Sequence, residues 1–340
     1  HAGMEPPVTR ATDKNTATDL RVGPLTNIEP VLRSLNRAPA PVFRAAGFEP
    51  SDFGDTNFPI RYEAATRLIS NCVEASGCEH FGILLGQWCL ASHLGLAGHL
   101  ARSAPDVGTA VRDIVDNLAL HDRGATGSLE VVGNRAEFGY AIILPNLTSI
   151  EYVYDLSLAN MCGIMRSLCG MAWRPGEVHL SRAQPGDTRP YRDYFRTDIV
   201  FDALESKLTF SSDWLERPLQ TADDHYHTDL AQGVHQMKET AAPGFSARVR
   251  DSLRRDLTRG APKIETTARK FNLHERTLNR RLAAEGTNFR TLLDEVRQAV
   301  SQHYLEGTAL SVGEIAMALG YGSTDAFDHA FRRWFGLSPT

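Results

Sequence analysis

The chain has 340 residues, enough for two or three domains, and its 42% hydrophobic and 23% charged residues are typical of a soluble globular protein. No segment approaches the roughly eighteen consecutive apolar residues of a membrane helix, and no secretory signal is recognisable at the start. We therefore expect a cytoplasmic protein without a membrane partner. The five cysteines form no Cys-x-x-Cys pair, so buried free thiols are expected rather than disulfides or a zinc site.

The net charge of -5 is distributed unevenly along the chain. Residues 243–340 hold 15 Lys and Arg against 11 Asp and Glu, whereas the remaining residues hold 21 against 30. An acidic body followed by a mildly basic terminal region weakly favours nucleic-acid binding by the terminal region.

The first two thirds of the chain combine helix-like and strand-like patterns. We expect residues 1–24 to hold a cloning remnant and a disordered segment, and residues 25–222 to form an α+β domain for effector binding and dimerisation. A hairpin is predicted at Gly133-Asn134. The other predicted elements are helices at 60–75, 105–120 and 149–172, and strands at 129–132, 137–144, 178–180 and 207–210.

A polar segment, residues 223–244, separates this region from the C-terminal part. It ends at Pro243-Gly244, and we interpret it as a linker that is helical in part. Its histidines match no standard metal-ligand spacing, so no metal is expected; they are His225, His227 and His235. No strand-like pattern follows, which predicts an all-α domain over residues 245–340.

This all-α domain contains two similar helix-turn-helix patterns. Gly320 is placed to end a helix in the left-handed conformation, and Ser323 is placed to cap the next helix. Such a geometry puts the second helix of each unit into a major groove of DNA. The four predicted helices span 264–270, 275–284, 311–319 and 324–335.

A long helix is predicted between the two units. Its apolar residues fall on one face and can hold the units in a fixed relation, so that two recognition helices enter successive major grooves roughly 34 Å apart. The residues of this face are Phe289, Leu292, Leu293, Val296, Val300 and Tyr304.

Two longer motifs accompany these patterns. Near the C-terminus stand Ile315-Ala316, Leu319-Gly320-Tyr321, Ala326-Phe327 and Ala330-Phe331-Arg332-Arg333-Trp334-Phe335-Gly336-Leu337-Ser338-Pro339. Earlier in the chain stand Glu79-His80-Phe81-Gly82, Gly86, Gly95, Gly98, Ser103-Ala104-Pro105, Phe210-Ser211-Ser212-Asp213-Trp214-Leu215 and Arg217-Pro218-Leu219. The first motif resembles the signature of the AraC/XylS regulators, and the second resembles the arabinose-binding-like sensor domain of one branch of that family.

This resemblance implies a homodimeric regulator, an activator more often than a repressor, that binds double-stranded promoter DNA and works with RNA polymerase. In the first unit it places Arg276, Asn279 and Arg280 at base edges, where arginine can bind guanine and asparagine can bind adenine. Arg281 is expected to touch phosphate or to pack against the protein.

The second unit departs from the commoner pattern of the family. Asp325 and Asp328 bring negative charge to the groove, which predicts weaker binding by this unit, although Asp325 could accept a hydrogen bond from cytosine. The side chains that the resemblance places at the DNA are Thr324, Asp325 and His329, with Arg332 or Arg333 near phosphate.

Arginines of the N-terminal domain are the candidate effector ligands. At i, i+4 spacing on a helix, two guanidinium groups share a face and can clamp a phosphate. The pairs with this spacing are Arg33 with Arg37, and Arg192 with Arg196.

The second pair, together with Asp155-x-Ser157, resembles the pattern with which PilZ domains bind cyclic-di-GMP. Arg61 and Arg67 form an alternative anion-facing pair. A cyclic dinucleotide, a small apolar or carboxylate metabolite, and no ligand at all stay open as alternatives. No cofactor is expected, and the absence of phosphate-loop, nucleophile-elbow and metalloprotease motifs argues against an enzyme. An interaction protein that has lost DNA binding is the remaining alternative.

Overall fold

The protein is described here by a computed structural model covering residues 20–142, 144, 147–240, 244–257 and 262–339. Residues 1–19 of the predicted disordered segment lie outside these ranges. The prediction is wrong for residues 20–24, because strand β1 (Leu20–Arg21) pairs antiparallel with β2 (Pro59–Ile60). Val22 is fully buried, so this part of the chain contributes to the core of the N-terminal domain.

The N-terminal domain is α+β, as predicted. Its second sheet has five strands in the order β3-β4-β7-β5-β6, antiparallel except for the β5–β6 pair. The predicted hairpin is confirmed, since Val132 pairs with Arg135 across Gly133-Asn134. The five strands are β3 (Ala125–Val132), β4 (Arg135–Ile142), β5 (Glu177–His179), β6 (Asp198–Val200) and β7 (Ser206–Ser211).

Eight α-helices of the described ranges precede the linker: α1 (Ile28–Ser34), α2 (Pro39–Ala45), α3 (Tyr62–Ser76), α4 (Phe81–Gly86), α5 (Leu96–Ser103), α6 (Val107–Asn117), α7 (Glu151–Cys169) and α8 (Arg189–Phe195). Helix α7 is central, and α4 packs closely along it. A side chain at Gly82 or Gly86 would approach α7 to less than 3.0 Å. Two glycines of the sensor-like motif are therefore explained by close helix packing.

The predicted linker contains one long helix, α9 (Asp224–Thr240). His227 Nε2 lies 2.8 Å from Asp113 Oδ2 on α6, so this histidine fastens the linker to the N-terminal domain. Pro243, at the predicted break, lies outside the described residues. None of the helices in the described ranges combines the length and apolar character needed to cross a membrane.

The C-terminal domain is helical throughout its described residues. Its helices are α10 (Phe245–Leu257), α11 (Ile264–Lys270), α12 (Glu275–Ala284), α13 (Phe289–Gly307), α14 (Val312–Ala318) and α15 (Thr324–Phe335). One apolar core unites them, with Leu292, Val296 and Tyr304 of α13 at its centre. The long joining helix and both two-helix units are thus confirmed, although α13 is longer than its apolar residues indicated.

Candidate DNA interface and effector cavities

Helices α11 and α12 form the first helix-turn-helix unit. The turn passes through Asn272, whose φ of 53° is left-handed. Helix α12 buries Leu278 and Leu282 in the core. The opposite face is consequently exposed, and it carries three of the predicted base-contacting side chains, Arg276, Asn279 and Arg280. Their i, i+3, i+4 spacing brings them together on one face.

Arg281 lies apart from that face. Its guanidinium group lies 5.5 Å from the centre of the Phe245 ring on α10. This contact is the packing that was one of the two roles predicted for Arg281; its phosphate contact stays a prediction.

Helices α14 and α15 form the second unit. Gly320 has a φ of 73°, and the Ser323 hydroxyl accepts a hydrogen bond from the Ala326 amide at 3.2 Å, as the sequence predicted. Helix α15 buries Phe327 and Phe331 in the core. Three side chains of this helix that were predicted to face DNA are exposed: Thr324, Asp325 and His329.

The two arginines predicted near phosphate are held by carboxylates of the protein itself. Arg332 lies 3.1 Å from Asp328 one turn earlier, and Arg333 lies 3.0 Å from Asp294 of α13. The charge of Asp328 is therefore balanced within its own helix, whereas Asp325 still brings negative charge to the predicted groove.

A contact that the sequence did not reveal joins the second unit to α13. Arg297 donates a hydrogen bond to the Leu319 carbonyl oxygen at 3.0 Å and lies over the Tyr321 ring at 4.6 Å. It thereby provides a hydrogen-bond donor for a carbonyl group at the C-terminal end of α14 and fixes the turn that follows. Nothing in the spacing of Arg297 distinguished it from a solvated arginine.

The predicted arginine clamps are not formed as helical pairs. Helix α8 ends at Phe195, and Arg196 follows it with a left-handed φ of 59°, so it does not share a helical face with Arg192. Arg192 instead bonds to the Thr188 hydroxyl. Helix α1 likewise ends before Arg37, which corrects the first predicted pair.

The remaining arginines of these predictions are exposed. Arg33 pairs with Glu29 at 2.6 Å. Arg61 precedes the first residue of α3 and lies 3.4 Å from Glu63, while Arg67 is on the exposed side of α3. The structure therefore does not present Arg61 and Arg67 as a helical clamp.

Asp155 has a structural partner instead of an effector. It is fully buried and accepts hydrogen bonds from Arg182 and from the Tyr191 hydroxyl, the latter at 2.7 Å. Burial raises the pKa of Asp155 to about 6, and Arg182 limits the rise. Arg182, which sequence reasoning missed, thus binds the carboxylate that the sequence had assigned to the effector. The other member of the motif, Ser157, lines a cavity.

That cavity, which we call the sensor cavity, lies inside the N-terminal domain and measures about 80 Å³. Its wall is mainly apolar, and three of its polar side chains bind one another. The Tyr62 and Tyr140 hydroxyls are 3.0 Å apart, and Tyr140 donates to Asp122 at 2.7 Å. Among the described buried side chains of this wall, only Asn160 Oδ1 has no hydrogen-bond partner.

A second cavity of about 80 Å³, the interdomain cavity, lies between the five-stranded sheet and the C-terminal domain. Strands β3, β4 and β7 contribute one wall, and helices α10 and α13 contribute the other. Side chains of the N-terminal and of the C-terminal domain therefore face each other across this cavity. Its apolar lining includes Ile142, Leu144, Leu147, Ile150, Ala299 and Val300.

Beside this cavity, the end of α13 is docked on the sensor domain. Tyr304 donates a hydrogen bond to the Leu204 carbonyl oxygen at 2.7 Å, and the Ala183 amide donates to the Gly307 carbonyl oxygen at 2.7 Å. His303 Nε2 lies 2.9 Å from the Ser181 hydroxyl, and its ring lies 5.0 Å from that of Tyr154. The helix that joins both reading units is therefore fixed to the sensor domain.

The docked His303 makes this contact sensitive to acid. Burial lowers its pKa from 6.5 to about 4, so a state in which the ring is exposed binds a proton more readily than the docked state. Its stabilisation is complete above pH 6.5 and is lost as the pH falls towards 4. We expect the thermal unfolding midpoint to fall over this window, and to fall less steeply in a His303→Gln variant.

A suitable control is His121→Gln, because the pKa of His121 is also lowered to about 4 by burial, but within the sensor cavity. Hydrogen exchange of the α13 amides separates the two contributions. Only His303→Gln should make α13 protection less dependent on pH. Equal pH dependence of that protection in His303→Gln and the unmodified protein would contradict the role of His303.

Two family models match the chain. The arabinose-binding domain of AraC transcription regulators, an N-terminal domain, matches residues 37–219, and a helix-turn-helix domain matches residues 267–340. The chain belongs to the AraC family of transcription regulators. This AraC-family protein is accordingly a DNA-binding transcription regulator with an N-terminal ligand-binding domain, and not an enzyme.

Full-length relatives agree with the AraC-family assignment. The HTH-type transcriptional regulator VirS of Mycobacterium tuberculosis is 27% identical over 311 residues, which cover 91% of this chain and 92% of VirS. The ornithine utilization regulator of Pseudomonas aeruginosa is 27% identical over 305 residues, which cover 88% of each chain. The crystal structure of the transcriptional regulator CdpR from Pseudomonas aeruginosa matches 96% of this chain and 98% of its own, with a TM-score of 0.50 and 24% identity, and supports the fold.

Proposed function

We propose that this AraC-family regulator activates transcription when a small effector, bound through the N-terminal domain, sets the position of its two recognition helices. It would act on promoter DNA as a homodimer and with RNA polymerase as its partner. The observation that carries the proposal is the docking of α13 on the sensor domain through Tyr304, Gly307 and His303. A change in the sensor domain is thereby transmitted to both reading units.

The proposed regulation requires two arrangements of the recognition helices, one of which binds DNA better, and an effector that shifts the population between them. An effector changes DNA binding only to the extent that it binds the DNA-competent arrangement more tightly than the other arrangement. Because α13 belongs to the core of the C-terminal domain and also contacts the sensor domain, a ligand that alters this contact has such a differential affinity.

That cyclic-di-GMP is the effector stays a prediction from the sequence. The geometry does not favour it, since Arg192 and Arg196 do not form a helical clamp and Asp155 is occupied by Arg182. A calorimetric titration with the dinucleotide tests it directly. We therefore base the effector on the cavities and not on the arginine pairs.

DNA binding by the full chain should be sequence-specific and steeply dependent on salt. Duplexes selected from a random library are the probe, and their affinity is measured by fluorescence anisotropy. Because the arginine-bearing helices displace counterions from phosphate, we expect affinity to fall at least about tenfold between 50 and 200 mM salt. A selected duplex placed upstream of a weak promoter should raise transcript yield with purified RNA polymerase.

Binding that is absent or independent of salt would reject the DNA-binding part of this proposal. Salt-dependent binding with a lowered transcript yield would instead indicate a repressor. The matched control for both assays is an Arg280→Ala variant, which keeps the fold of α12 because Arg280 is exposed.

A further inference from the structure

We propose that the interdomain cavity is the effector site and that it takes a small carboxylate with an apolar body, whose negative charge is bound by Arg254 of α10. This inference rests on the proposed function and names the class of effector and its place. The cavity is walled by the sensor sheet on one side and by α10 and α13 on the other.

The first observation is an incomplete set of polar partners. Arg254 is only 4% exposed, and its Nε has no hydrogen-bond partner within the described part of the chain. The buried atoms Gln302 Oε1 and His303 Nδ1 also lack partners there. All three side chains line the interdomain cavity. Buried polar groups are nearly always hydrogen-bonded, so these atoms indicate a missing polar ligand. A carboxylate can accept hydrogen bonds from Arg254 Nε and, in the tautomer whose Nε2 accepts from Ser181, from His303 Nδ1, whereas Gln302 Oε1 is an acceptor and requires a donor.

The second observation is the charge of Arg254. Burial lowers its pKa to about 9, yet it remains a cation at neutral pH. It forms no ion pair with a carboxylate of the described residues, although the charge of Asp251 acts against the lowering of its pKa. A buried cation without a counterion is costly, and an anionic ligand would remove that cost.

The acidic residues of the same cavity do not supply this counterion. Glu137 and Glu205 bind the Lys207 ammonium at 2.7 and 2.8 Å, and Glu130 is also partnered. One arginine therefore stays uncompensated, which matches a ligand with one negative charge. A planar guanidinium group favours a carboxylate, because the two can form parallel hydrogen bonds.

The size and lining of the cavity define the rest of the ligand. The cavity measures about 80 Å³, and its apolar walls come from both domains. The sensor cavity offers no comparable cation, since the arginine of its wall, Arg21, is exposed and donates hydrogen bonds to the Leu120 carbonyl oxygen and to Asn57. A compact apolar carboxylate fits the interdomain cavity better than a cyclic dinucleotide, which is larger and carries two phosphates.

Benzoate is the probe, and benzamide is its matched neutral analogue of the same shape. Thermal unfolding of the full chain is measured with each probe at millimolar concentration. We expect benzoate, but not benzamide, to raise the midpoint in a saturable way. Arg254→Met should weaken benzoate binding by about tenfold or more, because a hydrogen-bonded charge is lost.

The ligand-free proteins give an independent readout. Replacing a buried unpaired cation by an apolar side chain of similar length should raise the unfolding midpoint of Arg254→Met by about 3 °C or more. Arg248→Met, at an exposed position of the same helix, is the control and should keep both the midpoint and the benzoate response.

A midpoint that is unchanged or lowered in ligand-free Arg254→Met would overturn the inference, because Arg254 would then have a structural partner. The same holds if benzoate gives no shift in the unmodified protein, or equal shifts in Arg254→Met. Salt-dependent binding of the selected duplexes is measured in parallel. If this DNA binding persists while the benzoate tests fail, only the effector site is rejected. If the DNA binding itself is absent, the proposed function is rejected as well.

Discussion

Replacing Arg280 with alanine should lower the affinity for a selected duplex by about 5- to 150-fold. Arg280 lies on the exposed face of α12 beside Arg276 and Asn279, where a bidentate contact with guanine contributes about 1–3 kcal/mol of discrimination. Since this contact reads a base, the loss should be largest for the selected sequence and small for random duplexes. Anisotropy titrations with both kinds of DNA at one salt concentration measure the difference.

Arg281→Ala is the matched control for this experiment. The residue is the next one along the same helix, but its guanidinium group lies over the Phe245 ring. Its replacement should reduce affinity for selected and random duplexes to a similar and smaller extent. If Arg281→Ala proved more damaging to sequence preference than Arg280→Ala, the proposed reading face of α12 would be wrong.

Asp155→Ala should produce the largest loss of stability among the sensor-domain variants considered. Asp155 is fully buried, the Arg182 side chain is 8% exposed, and removing the carboxylate leaves the guanidinium group buried without a counterion. Breaking such a pair typically costs about 3–5 kcal/mol. Urea unfolding of the full chain, followed by the signal of the sensor domain, measures the loss.

The double variant Asp155→Leu with Arg182→Met separates the charge from the packing. It removes both members of the pair, so it should recover much of the lost stability. Asp187→Ala serves as a surface control, because its partner Arg189 is exposed and their ion pair is solvated. An equal loss in the single and double variants would mean that packing, and not the uncompensated charge, explains the effect of Asp155.

Local signals made most of the C-terminal domain predictable. The helix that joins the two reading units has a clear apolar face, and Gly320 and Ser323 mark a helix end and a helix start by their own chemistry. The structure also shows a capping box between Ser311 and Glu314, whose spacing could have been recognised in the sequence. These features depend on residues a few positions apart, so a sequence is sufficient to find them.

The sensor domain was less predictable because its chemistry depends on distant residues. Arg182 and Asp155 are 27 positions apart, and no local pattern pairs them. The three-residue strand β6 is too short to show alternation, and it is placed in the sheet by its parallel partner β5. The turn at Arg196, which ends α8, separated two arginines whose spacing had indicated a single helix.

The interdomain cavity was beyond prediction for the same reason. Arg254 and His303 belong to the C-terminal domain, and each resembles a solvated or DNA-facing residue when that domain is considered alone. Their burial arises only when α10 and α13 meet the sensor sheet. Sequence reasoning located the effector within the N-terminal domain because it treated the two domains as separate units.

The shared helix α13 also constrains how operators for this regulator can vary. It connects the two recognition helices through one continuous core, without a flexible joint, over the described residues Phe289–Gly307. Adding one residue to such a helix would turn one recognition helix by about 100° around the axis relative to the other and shift it by about 1.5 Å. The length of α13 thus sets the angle and the distance between the two DNA segments that the recognition helices of one chain contact. New binding sites can arise by exchange of side chains on α12 and α15, whereas a new spacing between half-sites requires a different helix.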